Sequence, residues 1–312
     1  MNAIHKLLSI GVANNHGYEQ CFVREDSSHD SAVKVVENFV DALEEMAKID
    51  AQHMPDMFQK ALDNIETDIE NEDSNLKKMK LQSFKNLVKN FLRMDVYGFN
   101  SGRYDLTILG PYLLPELKRR YDIVKILKKE NCYLSISTEG LHFKDIFRFS
   151  SPVTLSTYLR QNSVVEQKTI FPYSFFNSVE EINNQIEFPP HSAFYSQLKG
   201  ENVPVEDYDT AKSEYDKRRS LPCSDPLYMK TMIDWLIHYN LLDCRPLAMA
   251  INNSFENFFN IFNLDPSWCL SLPSFAAKCM FKEYSKLQPL CYSFNDKMDD
   301  LRLGWKFHKS LS

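Results

Sequence analysis

The sequence has few of the features that mark a secreted, membrane-bound or zinc-binding protein. Its seven cysteines are scattered without a C-x-x-C pair, and its eight histidines are equally dispersed. An odd number of separated cysteines favours reduced thiols inside a cell over a disulfide framework or a zinc site. No apolar run approaches the roughly 18 residues that span a bilayer, and the N-terminus does not resemble a signal peptide. We therefore expect an intracellular protein of the nucleus or cytoplasm, with no membrane partner.

Stretches dominated by Gly, Ser or Pro are also missing, which argues against a disordered chain. The chain has 312 residues, of which 44% are hydrophobic and 25% are charged. This is enough for one large domain or two modest ones with real cores.

Charge of one sign does not dominate the whole chain, but it does dominate segments. The formal net charge is −6, with eleven acids against two lysines in residues 41–75. Residues 76–93 then hold six basic residues and no acid. Solvated helix faces explain such runs, so net charge neither supports nor excludes a nucleic-acid partner.

The first half of the sequence predicts strands and helices in alternation. Residues 7–13 and 20–24 read as two strands joined by a turn at 14–17. A helix capped by Asp30 or Ser31 follows, with apolar residues at i, i+3, i+4, i+7 spacing. Residues 47–93 are charged and helix-friendly, which predicts a helical hairpin inserted between core elements.

The remaining sequence completes an α/β pattern. We predict strands at 94–99, 133–137 and 141–147, helices at 104–117 and 154–161, and a long helix at 226–262 kinked near Pro246. Residues 169–226 predict irregular structure with short helices. The fold expected is α/β with a mixed sheet, compatible with a ribonuclease H-like core.

The first chemical motif is Tyr97-Gly-Phe-Asn100-Ser-Gly-Arg-Tyr104-Asp105. A strand ends near Asn100, a glycine-containing turn follows, and Asp105 opens a helix. Strand ends are where ligands gather in α/β folds. Stabilisation of an acid by the helix dipole is the simpler explanation of Asp105.

The second motif is Tyr239…Asp243, whose spacing of four places both side chains on one helix face. A phenol beside a carboxylate can orient a metal-bound water while the carboxylate binds the metal. Spacing alone decides little, since Tyr292…Asp296 repeats it.

In this order, N-x-x-x-[FY]-D followed by Y-x-x-x-D resembles the second and third exonuclease motifs of family B DNA polymerases. The segments between and after them also resemble the protein-primed subgroup found in mobile elements and viruses: Leu141 to Phe147, Thr154 to Tyr158, Lys168 to Tyr173, Pro189 to Leu198 and Leu270 to Lys278. The resemblance covers about Leu8 to Leu303 and implies a DNA polymerase's 3′→5′ proofreading exonuclease. The insertion at 47–93 matches least well.

The resemblance implies roles for particular residues. Asp105 and Asp243 correspond to carboxylates that bind Mg²⁺ or Mn²⁺, and Tyr239 to the residue that orients the attacking water. Contacts to a single-stranded 3′ end are implied for Asn100, Thr154 and Leu155, and a place near the scissile phosphate for Lys168.

Each of these residues also has a simpler explanation. Asn100 fits an ordinary turn residue, Thr154 a helix cap and Leu155 a core residue. Lys168 fits a surface lysine. We expect Asp145 to be structural and not catalytic.

The sequence departs from the family where the first motif, D-x-E, should precede the strand at 7–13. We therefore expect two of four carboxylates to be missing, weak or absent metal binding, and no activity of the chain alone. The polymerase motifs are also absent, which predicts a truncated exonuclease-like domain at 1–262 and, at 263–312, the start of a connection to a polymerase domain. The alternatives are a non-catalytic single-stranded DNA-binding or protein-interaction domain derived from a mobile element, or an interaction protein built on the helical insertion.

Overall fold

The computed structural model describes residues 7–52, 56–91, 93–150, 152–165, 169–196 and 200–287. It begins with an antiparallel hairpin of β1 (Ser9–Ala13) and β2 (Glu19–Val23). The Asn14 side chain accepts hydrogen bonds from the backbone N–H groups of His16 and Tyr18, and Gly17 has a φ of 92°. The predicted hairpin and its turn are confirmed.

A second, four-stranded sheet has the order β3-β6-β5-β4. Its strands are β3 (Met94–Gly98), β4 (Lys125–Lys129), β5 (Cys132–Ser137) and β6 (Leu141–Asp145). β3 runs parallel to β6, and the other pairs are antiparallel, so the predicted mixed sheet is confirmed. β4 was not predicted. It is an exposed, lysine-rich edge strand, and lysines on an edge discourage pairing with other chains.

The helices are α1 (His29–Gln52), α2 (Asp56–Asn71), α3 (Asn75–Phe91), α4 (Asp105–Arg120), α5 (Leu155–Gln161), α6 (Val179–Asn184), α7 (Val205–Arg219), α8 (Met232–Phe262) and α9 (Leu272–Leu287). The predicted insertion is the hairpin of α2 and α3, which the Lys85–Glu66 ion pair bridges. Its predicted start at residue 47 is wrong, because α1 continues to Gln52.

Two other helix predictions need correction. The long helix begins at Met232 and not at residue 226, because Thr231 and Asp234 form a capping box there. α7 has 15 residues, longer than the short helices predicted between 169 and 226. Pro111 lies inside α4 without ending it.

The two sheets share one hydrophobic core. Ile10 and Phe22 of the hairpin pack into the same buried cluster as Leu43 of α1, Leu113 of α4 and Phe143 of β6. This places the hairpin and the sheet together against α1 and α4.

α8 contacts both sheets. A Cβ added to Gly11 of β1 would lie 2.6 Å from the Cys244 sulfur of α8, so only glycine fits. Farther along α8, Phe255 contacts Tyr97 of β3 with ring centroids 5.5 Å apart. The hairpin therefore lies between α1 and α8, and the four-stranded sheet shares the core on the α1 and α4 side and contacts α8 through Tyr97 of β3.

β1 and β3 each have one edge whose backbone groups do not bond to the partner strand. Leu8 and Asn14 form backbone hydrogen bonds to the β2 side of the hairpin. Because backbone groups alternate in direction along a strand, those of Ser9, Gly11 and Ala13 point away from β2. Met94 donates to Gly140, so Asp95 and Tyr97 direct theirs away from β6. Among the residues that the structure describes, no strand pairs with either edge.

A further buried cluster, called the third cluster, joins α5, α8 and α9. Phe275 of α9 packs on Phe258 of α8 with ring centroids 5.3 Å apart, and Tyr158 and Leu159 of α5 lie in the same cluster. No helix in the described ranges is long and apolar enough to cross a membrane.

Candidate functional site

The turn after β3 is built around the Asp145 carboxylate. Asn100 has a φ of 56°, in the left-handed region that asparagine tolerates better than most residues. The Asp145 carboxylate accepts hydrogen bonds from the backbone N–H groups of Gly102 at 3.1 Å and Phe147 at 3.0 Å. Burial raises the pKa of Asp145, and N–H donors that include Asn100 oppose this shift. Asp145 is thus a structural residue, because its carboxylate holds the backbone N–H groups of this turn.

Close packing at Gly102 fixes the turn against β5. A Cβ there would lie 2.2 Å from the Tyr133 carbonyl oxygen. The Gly102 carbonyl in turn accepts a hydrogen bond of 2.9 Å from the Tyr133 N–H. The position of the following helix, α4, is therefore set by the sheet and not by a flexible loop.

Asp105 is the first residue of α4 and lies at the carboxyl ends of β3 and β6. Its side chain is exposed to water, yet burial raises its pKa, and the charge of Asp145 adds to this effect. Such perturbed groups are found more often at functional sites than elsewhere.

Tyr239 of α8 lies against two aromatic rings. Its ring centroid is 5.8 Å from that of Tyr173 and 6.1 Å from that of Phe171. Burial, and then the charge of Asp243, raise the pKa of Tyr239 to about 12. Burial also raises the pKa of Tyr173, with Tyr239 and Asp243 as further causes. Tyr239 is therefore a neutral phenol at neutral pH, able to orient a water by hydrogen bonding but unable to act as a phenolate base.

Cys244 connects the two motifs. Burial raises the pKa of its thiol to about 12, and the charges of Cys21, Asp243 and Asp105 contribute in the same direction. The Cys244 sulfur packs against Gly11 of β1, which places this part of α8, with Asp243, on the hairpin. We use the name carboxyl edge for Asp105, Asp145 and Asp243.

Sequence reasoning gave no role to Cys21, Cys244 or Tyr173. Tyr173 ends a segment that resembles the polymerase family, which is the one available signal. The two cysteines carry none, because they follow no spacing pattern and come together only through the packing of β1 and β2 on α8.

The described residues do not fit a two-metal centre. No group of three or more His, Cys, Asp or Glu side chains gathers there in a way that would hold a metal ion. Mg²⁺ completes six oxygen ligands from one or two carboxylates together with waters and substrate phosphates, so two ions in one site need more carboxylates than one ion does. Asp105 and Asp243 are both exposed and supply only part of such a set.

Of the residues implied in DNA contact, Asn100, Thr154 and Leu155 lie in the described part of the structure. Phe99, next to Asn100, contacts Tyr158 of α5 with ring centroids 5.7 Å apart, which brings the turn and α5 together. Thr154 caps α5 by accepting a hydrogen bond of 3.2 Å from Thr157 N–H, and Leu155 packs against the third cluster. Both have the structural roles that were the simpler explanations. Lys168 lies outside the described residues.

Compared with known proteins, the chain matches no family model and has no significant match among curated proteins or solved structures.

Proposed function

We propose that this chain is the 3′→5′ exonuclease region of a protein-primed family B DNA polymerase of mobile-element type. It binds a single-stranded 3′ end at the carboxyl edge and does not hydrolyse DNA alone. The observation that carries the proposal is the position of the two motifs: Asp105 opens α4 at the carboxyl end of β3, and Asp243 precedes Cys244, whose sulfur packs against Gly11 of β1. The resemblance assigns these two residues, which are far apart in sequence, to one site.

The sheet arrangement supports the same proposal. In a ribonuclease H-like exonuclease, a central strand carries the D-x-E motif. β1 and β3 each have an edge with which no described strand pairs, and a strand inserted between them would require two such edges. A strand there would bring its carboxylates to the layer that holds Asp105.

Within this chain, we assign binding and not bond cleavage to the site. We assign base stacking to Tyr173, which is 49% exposed and contacts Tyr239, and a polar contact to the Asn100 amide. Hydrolysis would need metal ligands beyond Asp105 and Asp243, so no hydrolytic step is assigned to these residues alone.

Digestion of a 3′-labelled single-stranded oligonucleotide with Mn²⁺ tests the inactivity. We expect no shortening by the chain or by the Asp243→Ala variant. Shortening that Asp243→Ala abolishes would contradict inactivity and establish a working nuclease site. Shortening that persists in the variant would indicate a contaminating nuclease.

Fluorescence anisotropy with the same oligonucleotide tests binding. We expect salt-dependent binding that weakens in Asn100→Gly, which keeps the left-handed backbone and removes the amide. Asn15→Gly, in the β1–β2 turn, is the control and should bind normally. Equal binding by all three proteins would contradict the proposed site.

A protein-interaction function is the second candidate, and α3 favours it. Leu76, Met79 and Phe84 are 63%, 68% and 53% exposed on this basic helix. The double substitution Met79→Asp and Phe84→Asp should remove a partner that uses this helix and leave DNA binding unchanged.

A further inference from the structure

Arg148 lies in a short 3₁₀ helix, Ile146–Phe149, directly after the end of β6. The Phe147 ring packs against the Phe99 ring with centroids 5.4 Å apart, so this helix lies against the turn that contains Asn100. The first and last residues of the helix are buried. Packing therefore holds Arg148 at the carboxyl ends of β3 and β6, where the strand-binding residues also lie.

The charge of Arg148 has no close partner. Its side chain is partly buried, and its Nε atom is buried without a hydrogen-bond partner among the residues that the structure describes. None of those residues forms an ion pair with the guanidinium. The neighbouring Asp145 carboxylate accepts the N–H groups of Gly102 and Phe147 instead. A charged group that loses water without gaining a partner destabilises the folded chain, so an anion bound there would recover part of this loss.

The charges around this segment favour a phosphate as that anion. Asp105 opens α4 at the carboxyl end of β3, and a DNA strand bound beside it brings phosphates close to a carboxylate. Like charges repel, which weakens binding unless a cation lies at the same edge. A guanidinium offsets this repulsion, and its parallel N–H donors match two oxygens of one phosphate.

We propose that Arg148 binds a phosphate of the single-stranded DNA at the carboxyl edge and so positions the strand. This inference rests on the proposed DNA binding and assigns its phosphate contact. The contacts assigned to Asn100 and Tyr173 are an amide contact and base stacking, and neither residue supplies a positive charge.

The salt dependence of binding tests the proposal. Fluorescence anisotropy with the 3′-labelled single-stranded oligonucleotide is measured at salt concentrations from about 50 to about 200 mM. Each phosphate contact to a single strand contributes about 0.7 to the slope of log K against log salt concentration. We expect Arg148→Met to lower this slope by about 0.7 and to bind roughly tenfold more weakly at low salt, because a charge-assisted hydrogen bond is lost.

Two further variants separate a phosphate contact from net charge and from a structural role. Arg148→Lys keeps the charge but loses the paired donors, so its slope should stay the same while its affinity falls severalfold. Arg219→Met removes the same charge from α7 and should bind normally. Thermal unfolding of Arg148→Met should show no loss of stability, because the guanidinium has no ion pair within the described ranges to lose.

The outcomes distinguish this inference from the proposed function. No binding by the unaltered chain would overturn both. Binding by the unaltered chain, with the same affinity and slope in Arg148→Met, would overturn the phosphate contact alone. Equal weakening in Arg148→Met and Arg219→Met would assign the effect to net charge and reject the contact. If Arg148→Met does not fold, Arg148→Lys decides in its place, and an unchanged affinity of that variant rejects the proposal.

Discussion

Two groups of polar residues on the sheet around β3 and β6 differ in how their charges are compensated. In the paired network (Asp95, His142 and Lys144), Lys144 Nζ lies 2.7 Å from Asp95 Oδ1 and His142 Nδ1 lies 3.4 Å from the same oxygen. At the carboxyl edge, burial instead raises the pKa values of Asp105 and Asp145. The paired network fits a role in stability, as does Asp145, which accepts N–H groups of the turn, whereas Asp105 fits a role in binding.

The largest effect should come from breaking the paired network. Lys144→Met leaves Asp95 without its buried cation, since the Lys144 side chain is only 4% exposed. We expect a loss of about 3 kcal/mol in unfolding free energy, measured by urea denaturation. Lys34→Met breaks the exposed Lys34–Glu25 pair and should cost less than about 1 kcal/mol. Equal losses would mean that the network is not a source of stability.

The turn that supports the carboxyl edge should respond to backbone conformation. Asn100→Ala places a less tolerant residue at a φ of 56° and should lower unfolding free energy by about 1 kcal/mol. Asn100→Gly should not. Thermal unfolding of both variants checks this, and a loss with glycine as large as that with alanine would assign the effect to the amide group instead.

Because the pKa of Asp105 is raised, replacing this residue should stabilise the protein in a pH-dependent way. Burial raises the folded pKa of Asp105 above its ordinary value, so the folded state disfavours the charged form and stability is lost as pH rises through the folded pKa. Asp105→Asn should therefore raise the melting temperature near pH 7, and the gain should disappear near about pH 3, where both states are protonated. Asp30→Asn, at the start of α1, should give no such gain. A gain of the same size at both pH values would exclude the carboxyl charge as its cause.

The last prediction involves no substitution and therefore no change in stability. Chemical labelling of the thiols tests directly whether Cys21 and Cys244 are buried. With a pKa of about 12, Cys21 and Cys244 are thiols at neutral pH and should react slowly with iodoacetamide. Cys223 is exposed and should react first. Peptide mass spectrometry measures the three rates, and rapid labelling of Cys244 would show that the packing of α8 on β1 opens readily.

Local patterns predicted much of the fold. Alternating apolar residues and turn residues identified the β1–β2 hairpin, β3, β5 and β6, and a clear apolar period identified α1. β4 was missed because its lysines, which protect an edge, resemble a solvated helix face. α7 was predicted only as short helices, since its charged residues show no apolar period.

The candidate site was predictable only in part. The motifs gave Asp105, Tyr239 and Asp243, and a turn composition gave Asn100. The surroundings of these residues depend on tertiary packing: Cys21 comes from β2, Tyr173 from an irregular segment and Cys244 from α8. No local pattern relates positions so far apart in sequence.

Pro246 gives the long helix α8 a mechanical property. At 31 residues, α8 is about 46 Å long, and it contacts β1 near Cys244 and β3 near Phe255. Pro246 lies between these contacts and cannot donate the N–H that would bond to the Leu242 carbonyl. α8 therefore lacks one backbone hydrogen bond at Pro246, between its contact with β1 and its contact with β3. If the distance between the β1–β2 hairpin and the four-stranded sheet changes, we expect α8 to bend at Pro246 while each half of the helix keeps its own strand contacts.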